Sequence, residues 1–345
     1  MKAPFPYFGG KSAIVDEVWQ GLGNVKHYIE PFFGSGAVLL ARPGWNPKIH
    51  LETVNDADGY LANVWRALQA DPDAVARVCD WPVNHADLSA RKRQLLCDGA
   101  SLLERLVADP SYYDARLAGY WIWAASCWIG TGLTRLGQTP HISNNGRGVH
   151  ALGKRPHISH GGMGVHALGQ IPHISHGGMG VHAPDKRPHI SDGGMGVQEP
   201  YNMNIYIWFR ELSERLRSVR VVCGDWARVC GGNWQDTRGV VGIFFDPPYG
   251  DAATRNPQLY HVESSNVAQE VATWALQRGA RPTYRIILAG YYEEHAHLLC
   301  HGWRVHRWTA GAAYAAKGSR NTVNRCREAL FFSPHCISPD QGTLF

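Results

Sequence analysis

Short apolar segments alternate with amphipathic segments near both ends of the chain, and this pattern predicts an α/β fold. Seven runs rich in Val, Ile and aromatic residues have the length of buried strands. They are Val25–Glu30, Lys48–Val54, Val219–Cys223, Val240–Phe245, Arg285–Ala289, Trp303–Trp308 and Glu328–Phe332. Helical periodicity lies between several of them, at Ser12–Gln20, Gly59–Ala70, Met203–Arg217 and Val267–Gln277. Strands that alternate with helices predict a mainly parallel sheet with helices on both faces.

The middle of the chain interrupts this alternation. Residues 72–129 have a mixed helical pattern, and the tetrapeptide PHIS then occurs four times, at a spacing of 16 residues, beginning at residue 140. Each unit contains two short segments, HIS and GVHA in the first copies, separated by a Gly- or Asn-rich turn, which predicts a repeated strand–turn–strand. We therefore expect a sheet domain formed by residues 1–71 and 200–335, an insertion at 72–199 with the repeats at 140–199, and a tail at 336–345.

The positive charge of the chain is concentrated in the repeats. The 345 residues carry a net charge of +5, from 34 basic and 29 acidic residues. Between Thr131 and Ser191 there are six basic residues and one acidic residue, which accounts for the whole excess. A basic, hairpin-rich surface favours contact with a polyanion. The candidate contacts are Arg135, Arg147, Lys154, Arg155, Lys186 and Arg187.

Two other interpretations of the repeats remain open. The histidines that recur in them could bind a metal, but no Cys or carboxylate accompanies them at fixed offsets, so we predict no metal site. The repeats could also be an expansion without a function of its own.

Cysteine usage and hydropathy indicate the compartment. The eight cysteines include no CxxC pair, which argues against a zinc ribbon or a disulfide scaffold and favours a reducing cytosol. No segment reaches the roughly 18 apolar residues of a membrane helix. The first residues, MKAPFPYFGGKS, lack the apolar region of a signal peptide. The expectation is a cytoplasmic protein with no membrane partner.

A Gly-rich turn follows the first predicted strand. In Tyr28–Val38, the strand runs into Gly-Ser-Gly and then into a helix, and glycines at such a turn let the backbone approach a ligand closely. Asp56 follows Gly36 by 20 residues at the end of the next strand, the spacing of a carboxylate that binds ribose hydroxyls. The GxGxxG pattern of dinucleotide binders is missing, so a nucleoside cofactor without phosphates fits better.

The sequence Asp246-Pro247-Pro248-Tyr249 directly follows the most apolar predicted strand. Two prolines fix φ and remove two backbone donors, so the carbonyl groups remain as acceptors. A carboxylate, a carbonyl and an aromatic ring at one strand end suit a planar molecule that bears an amino group. By itself the motif is equally compatible with a Pro-rich turn after a capping Asp.

Together, YFGGKS, EPFFGSG, VND and DPPY resemble the alpha group of DNA adenine-N6 methyltransferases, which use S-adenosylmethionine. The resemblance covers residues 1–70 and 200–335. It implies a Rossmann-like catalytic domain interrupted by a target-recognition insertion that binds double-stranded DNA, without a metal, in a monomer or homodimer.

The resemblance also implies roles for individual residues. The cofactor would contact Tyr7, Lys11, Glu30, Phe32, Gly34, Ser35, Gly36, Asp56, Asp225 and Asp246. Within this set, Glu30 to Gly36 would hold the methionine portion, Asp56 the ribose and Asp225 the adenine of the cofactor. A flipped target adenine would lie against the catalytic sequence Asp246, Pro247, Pro248 and Tyr249. Many relatives have Trp where this chain has Tyr7.

Other targets and classes remain as alternatives. Cytosine-N4 methyltransferases more often have Ser in place of Asp246, which favours adenine. RNA adenine and protein glutamine amides are further chemically possible targets. A catalytically inactive DNA-binding or repeat-mediated interaction protein is the alternative from another class. No nuclease motif is visible, so an orphan or phage-type enzyme is as compatible with the sequence as a restriction partner.

Overall fold

The computed structural model describes ten segments of the chain. They are residues 1–5, 11–129, 139–142, 149–152, 189–190, 197–198, 204–232, 239–248, 266–308 and 327–338. The chain divides into two compact units. A helical unit comprises residues 1–8 and 58–217, and a sheet unit comprises residues 9–57 and 218–345.

The sheet unit contains a seven-stranded sheet. Its strands, numbered in chain order, are β1 (His27–Glu30), β2 (Leu51–Asp56), β8 (Val219–Cys223), β9 (Val241–Phe245), β10 (Tyr284–Tyr291), β11 (Arg304–Arg307) and β12 (Glu328–Phe332). The strands β3–β7 belong to the helical unit and are described with it. The order is β11-β12-β10-β9-β1-β2-β8. The five strands from β10 to β8 are parallel, and β12 runs antiparallel to both of its neighbours. The predicted mainly parallel, Rossmann-like sheet is confirmed.

The two faces of this sheet are covered by different helices. On one face, Ile29, Ile243 and Phe245 belong to a buried cluster with residues of α9 (Ala227–Cys230) and α10 (Val267–Gly279). On the opposite face, the Trp19 ring of α1 (Val15–Leu22) lies 4.8 Å from the Tyr28 ring of β1. Helices therefore cover both faces, as the sequence pattern predicts. Two further short helices are α2 (Ala37–Leu40) and α11 (Tyr292–His295).

Strand β2 begins and ends later than the predicted Lys48–Val54. Asn46 organises a turn in the residues before it, because its side chain accepts from Lys48 N at 3.0 Å and its carbonyl accepts from His50 N at 2.9 Å. At the other end, pairing with β8 continues to Asp56, which is in register with Cys223. These long-range partners are not visible in local hydrophobicity.

The helical unit contains α3 (Gly59–Ala70), α4 (Pro72–Cys79), α5 (His85–Asp98), α6 (Leu102–Ala108), α7 (Ala115–Cys127) and α8 (Ile205–Leu216). Helices α3 and α8 belong to this unit, whereas the boundaries expected from the sequence place them with the sheet. Side-chain hydrogen bonds join α3 to other parts of this unit. Asn63 of α3 donates to Asp114 O at 2.9 Å, and Gln69 of α3 donates to Leu216 O at 2.5 Å. Among the described residues, no helix has the length and apolar character needed to span a membrane.

Short strands follow α7. They are β3 (Trp128–Ile129), β4 (Thr139–Ile142), β5 (Val149–Leu152), β6 (His189–Ile190) and β7 (Val197–Gln198). Strands β4 and β5 pair antiparallel with His141 opposite His150, and β6 pairs antiparallel with β7. The two strands predicted for each unit are therefore confirmed in the first and fourth units, while the residues predicted as their turns lie outside the described residues. The two central PHIS sequences lie outside the described residues.

Candidate active site

The polar motifs lie where parallel strands end. Strand β1 has β2 on one side and β9 on the other, so the strand order reverses beside β1. Ligands of open α/β sheets bind at such a switch point, beyond the carboxyl ends of the strands. Glu30 ends β1, Asp56 ends β2 and Asp246 directly follows β9. The topology thus brings the three predicted motifs to one edge.

The Gly-rich turn after β1 is fixed to the end of β2. Gly34 and Gly36 have φ values of 50° and 66°, a left-handed conformation that residues with a Cβ rarely adopt. The Gly34 amide donates to Asp56 Oδ2 at 2.8 Å, and the Gly36 amide donates to Phe33 O at 2.9 Å. Ser35, between the glycines, is buried. The sequence spacing of Gly36 and Asp56 therefore corresponds to a direct contact between the turn and the carboxylate.

Glu30 is a buried carboxyl group at the end of β1. Its side chain is almost completely enclosed, and Oε2 accepts from the Tyr28 hydroxyl at 2.9 Å. Burial raises the pKa of Glu30 well above its usual value, the Tyr28 hydrogen bond lowers it in part, and the charge of Asp246 raises it again. This site favours a cationic partner for Glu30.

Asp246 is held by Lys11. The ammonium nitrogen of Lys11 lies 2.9 Å from Asp246 Oδ2, and the two side chains are 9% and 22% exposed. Pro247 is buried, and Pro248 is half-buried. Ile29 of β1 and Ile243 of β9 are in register, so Glu30 and Asp246 project from the same face of the sheet. The structure thus pairs Lys11 with the DPPY carboxylate, while its predicted contact with a cofactor stays a prediction.

Glu328 is a further carboxyl group at this edge. It is the first residue of β12 and lies opposite Tyr291, two residues beyond Ala289 on β10. Since β9 and β10 are in register at Phe245 and Leu288, Ala289 and Glu328 lie on the same face as Asp246. Burial raises the pKa of Glu328, the Lys11 charge opposes that rise, and the Asp246 charge adds to it. Lys11 therefore lies within the electrostatic influence of two carboxyl groups.

Asp225 and Phe32 each lie two residues after a strand, β8 and β1 respectively. Asp225 is exposed and accepts from the backbone N of Ala227, the first residue of α9, at 2.8 Å. The Phe32 ring lies 6.4 Å from the Phe245 ring. The roles expected for both residues at a cofactor stay predictions.

Eight predicted site residues lie outside the described part of the chain. They are Tyr7, Tyr249, Arg135, Arg147, Lys154, Arg155, Lys186 and Arg187. Within the described segments, no group of three or more His, Cys, Asp or Glu side chains is arranged to hold a metal ion.

Sequence reasoning missed Tyr28 and Glu328. Tyr28 and Glu30 are two residues apart in β1, so their side chains lie on the same face of the strand. This two-residue spacing could have identified Tyr28 as a neighbour of Glu30 from the sequence. Glu328 was visible only as one polar residue at the start of an apolar run. Its position depends on the antiparallel direction of β12, because only a reversed strand begins at the edge where the parallel strands end.

Comparison with known proteins supports the methyltransferase predicted from the sequence motifs. Residues 7–93 match the model of the D12 class of N6 adenine-specific DNA methyltransferases. No curated protein matches the chain. The matched segment includes the Gly-rich turn, Lys11 and Asp56, and methyltransferases of this kind use S-adenosylmethionine and act on DNA. The similarity over these residues supports an adenine-specific DNA methyltransferase that uses S-adenosylmethionine.

Proposed function

We propose that the protein transfers a methyl group from S-adenosylmethionine directly to N6 of an adenine flipped out of double-stranded DNA, at a specific sequence. The observation that carries this proposal is the contact between Lys11 and Asp246 at the end of β9, on the same sheet face as the buried Glu30. We place the reaction in the cytoplasm, with the protein as a monomer or homodimer.

The described residues at the sheet edge fit this cofactor. Its methionine portion carries an ammonium group, and Glu30 offers a buried carboxyl group with a raised pKa that a cation would stabilise in its ionised form. Asp56, fixed to the Gly34 amide, lies where a ribose hydroxyl would be bound. When bound, the cofactor supplies an electrophilic methyl group. We assign Glu30 to Gly36 to its methionine portion, Asp56 to its ribose and Asp225 to its adenine.

Asp246 and Pro247 would bind the target amine. The lone pair of the adenine amino nitrogen is delocalised into the ring, which makes that nitrogen a weak nucleophile. Hydrogen bonds from the amine to the Asp246 carboxylate and the Pro247 carbonyl favour a tetrahedral nitrogen with an available lone pair. Such catalysis consists mainly of positioning and electrostatic stabilisation, and no side chain carries the methyl group.

The target base must leave the duplex to reach this edge. Flipping costs a few kcal/mol and exposes the amine and the ring face, on which we assign stacking to Tyr249. We assign sequence recognition to the insertion at residues 72–199, which interrupts the catalytic domain. The basic residues of the repeats would contact the phosphate backbone.

The test uses DNA from a methylation-free bacterial host that expresses the full chain. Single-molecule sequencing should detect N6-methyladenine at one sequence in the wild type and none with Asp246→Ala. Asp73→Ala, which removes an exposed ion pair with Arg210, is the matched control and should retain the mark. Methylcytosine in place of methyladenine, or a mark that persists in Asp246→Ala, would contradict the proposal.

A further inference from the structure

Asn55 joins the ends of three parallel strands. It lies in β2 directly before Asp56 and is 1% exposed. Its side-chain nitrogen donates to Pro31 O, just after β1, at 3.0 Å, and to Gly224 O, just after β8, at 2.9 Å. Both donor hydrogens of one amide are thus used to fix two different loops.

The backbone of the same two residues strengthens these links. Asn55 O accepts from Phe33 N at 2.9 Å, and Asp56 O accepts from Gly224 N at 3.0 Å. The loop after β1 and the loop after β8 are each bonded to the end of β2 more than once. These loops carry the Gly34–Gly36 turn and Asp225, to which the proposed function assigns the two ends of the cofactor.

A contribution to folding stability does not by itself explain why an asparagine amide is buried at this position. The Asn55 side-chain oxygen is buried and has no hydrogen-bond partner among the described residues. A buried acceptor without a partner is unfavourable, and such groups in native proteins call for a separate explanation. The explanation we favour is that the two hydrogen bonds donated by the Asn55 amide set the distance between the two loops.

We propose that Asn55 is a positioning residue of the cofactor site, whose amide holds the loops after β1 and β8 at the separation that the bound nucleoside requires. This inference rests on the proposed function, because it takes the site at this edge to be a cofactor site. Asn55 itself need not touch the cofactor, since it acts through Pro31 and Gly224.

The experiment compares Asn55→Asp with Asn63→Asp in the full chain. The first change keeps the shape of the side chain but sets a carboxylate oxygen against two carbonyl oxygens. Asn63 is an equally buried asparagine in the helical unit, where it exchanges two hydrogen bonds with Asp114, at 2.9 and 2.7 Å. Both variants lose a buried amide donor, but only Asn55 is bonded to the loops of the proposed site.

The main readout is the Kd for S-adenosylhomocysteine by calorimetry, together with Tm. Both variants should have a lower Tm, but only Asn55→Asp should bind at least tenfold more weakly than the wild type. A Kd within twofold of the wild-type value for folded Asn55→Asp would overturn the inference, as would an equal loss of affinity in Asn63→Asp.

A second measurement does not depend on a variant that folds. In the wild type, S-adenosylhomocysteine should slow amide hydrogen exchange at Phe33, Gly34 and Gly224, and unchanged exchange at all three would also overturn the inference. A wild type that does not bind S-adenosylhomocysteine at all would instead contradict the proposed function, so the two failures are distinguishable.

Discussion

The Lys11 ammonium nitrogen lies 2.9 Å from Asp246 Oδ2, so an N-terminal motif and the DPPY motif, 235 positions apart in the chain, meet in one ion pair. Glu328 adds a second carboxyl group whose pKa responds to both charges. The Lys11 ammonium thus lies in direct contact with the carboxylate that would accept the target amine.

Lys11→Met should lower methyl transfer to DNA on the order of 100-fold, as the loss of one preorganised charged group at an active site typically does. Lys11→Arg, which keeps the positive charge but changes the geometry, should lose less. Transfer of labelled methyl groups from S-adenosylmethionine to DNA measures both variants. Wild-type rates in Lys11→Met would show that the ion pair has no part in the reaction.

Glu30 should make cofactor binding depend on pH. Its raised pKa means that the cofactor-free protein holds a proton there at a pH where an exposed glutamate is ionised. A cationic ligand favours the ionised form, so affinity should increase as pH rises through that pKa. Tyr28→Phe removes the hydroxyl that donates to Glu30, so its affinity curve should move to higher pH. Calorimetric Kd values across the pH range test this, and identical curves would contradict it.

Glu30 should also limit the stability of the cofactor-free protein. A carboxyl group whose folded-state pKa is raised contributes its stability below the unfolded pKa, and that contribution is lost as pH rises through the folded pKa. Glu30→Gln, which cannot ionise, should therefore raise Tm relative to the wild type most at alkaline pH and least in acid. The same variant should bind the cofactor more weakly. A Tm difference that does not change with pH would contradict this prediction.

Arg42 and Glu52 form a buried ion pair in the sheet unit. Their atoms Nη1 and Oε1 are 3.1 Å apart, each side chain is 1% exposed, and Arg42 also donates to Val25 O. Arg42→Met should destabilise the protein by about 3–5 kcal/mol, because the Glu52 charge stays buried without its guanidinium. The double variant Arg42→Met/Glu52→Leu should recover much of that loss.

The exposed pair of Arg210 and Asp73 provides the control for this prediction. Arg210→Met should change the free energy of unfolding by at most about 1 kcal/mol, because solvent screens that pair. Urea unfolding followed by circular dichroism compares the variants. An Arg42→Met protein as stable as Arg210→Met would show that burial does not govern the energy of these pairs.

The repeats should contribute to DNA affinity without affecting the cofactor. Deletion of residues 156–187 removes two 16-residue units together with Lys186 and Arg187. With fewer basic side chains on the phosphates, DNA binding should weaken, and the slope of log K against log salt should fall by about 0.9 for each phosphate that is no longer neutralised. Fluorescence anisotropy at several salt concentrations measures both quantities, with the Kd for S-adenosylhomocysteine as the control. Unchanged affinity and slope would reject a role for the repeats in DNA binding.

The hydrophobic pattern was sufficient to predict the seven strands of the sheet, although the bounds of some differ, and the motifs placed Glu30, Asp56 and Asp246 at strand ends. Strands β8 and β12 have the predicted bounds, because a run such as VRVVC or EALFF carries its own β-propensity and burial pattern. The two short segments of the first unit likewise predicted the antiparallel strands β4 and β5, since segments this close in the chain pair locally. Asp246 could be placed at a strand end because the two prolines after it stop a strand.

The partners of these residues depended on tertiary structure. The tertiary fold decided that Lys11, in the segment before α1, meets Asp246, and the reversed direction of β12 decided that Glu328 begins at the same edge. Asn55 was visible only as the neighbour of Asp56, yet it bonds to residues 24 and 169 positions away. Local sequence specifies which residues can form a strand or a turn, whereas contacts between distant strand ends follow from how the strands pair, and no local propensity encodes that pairing.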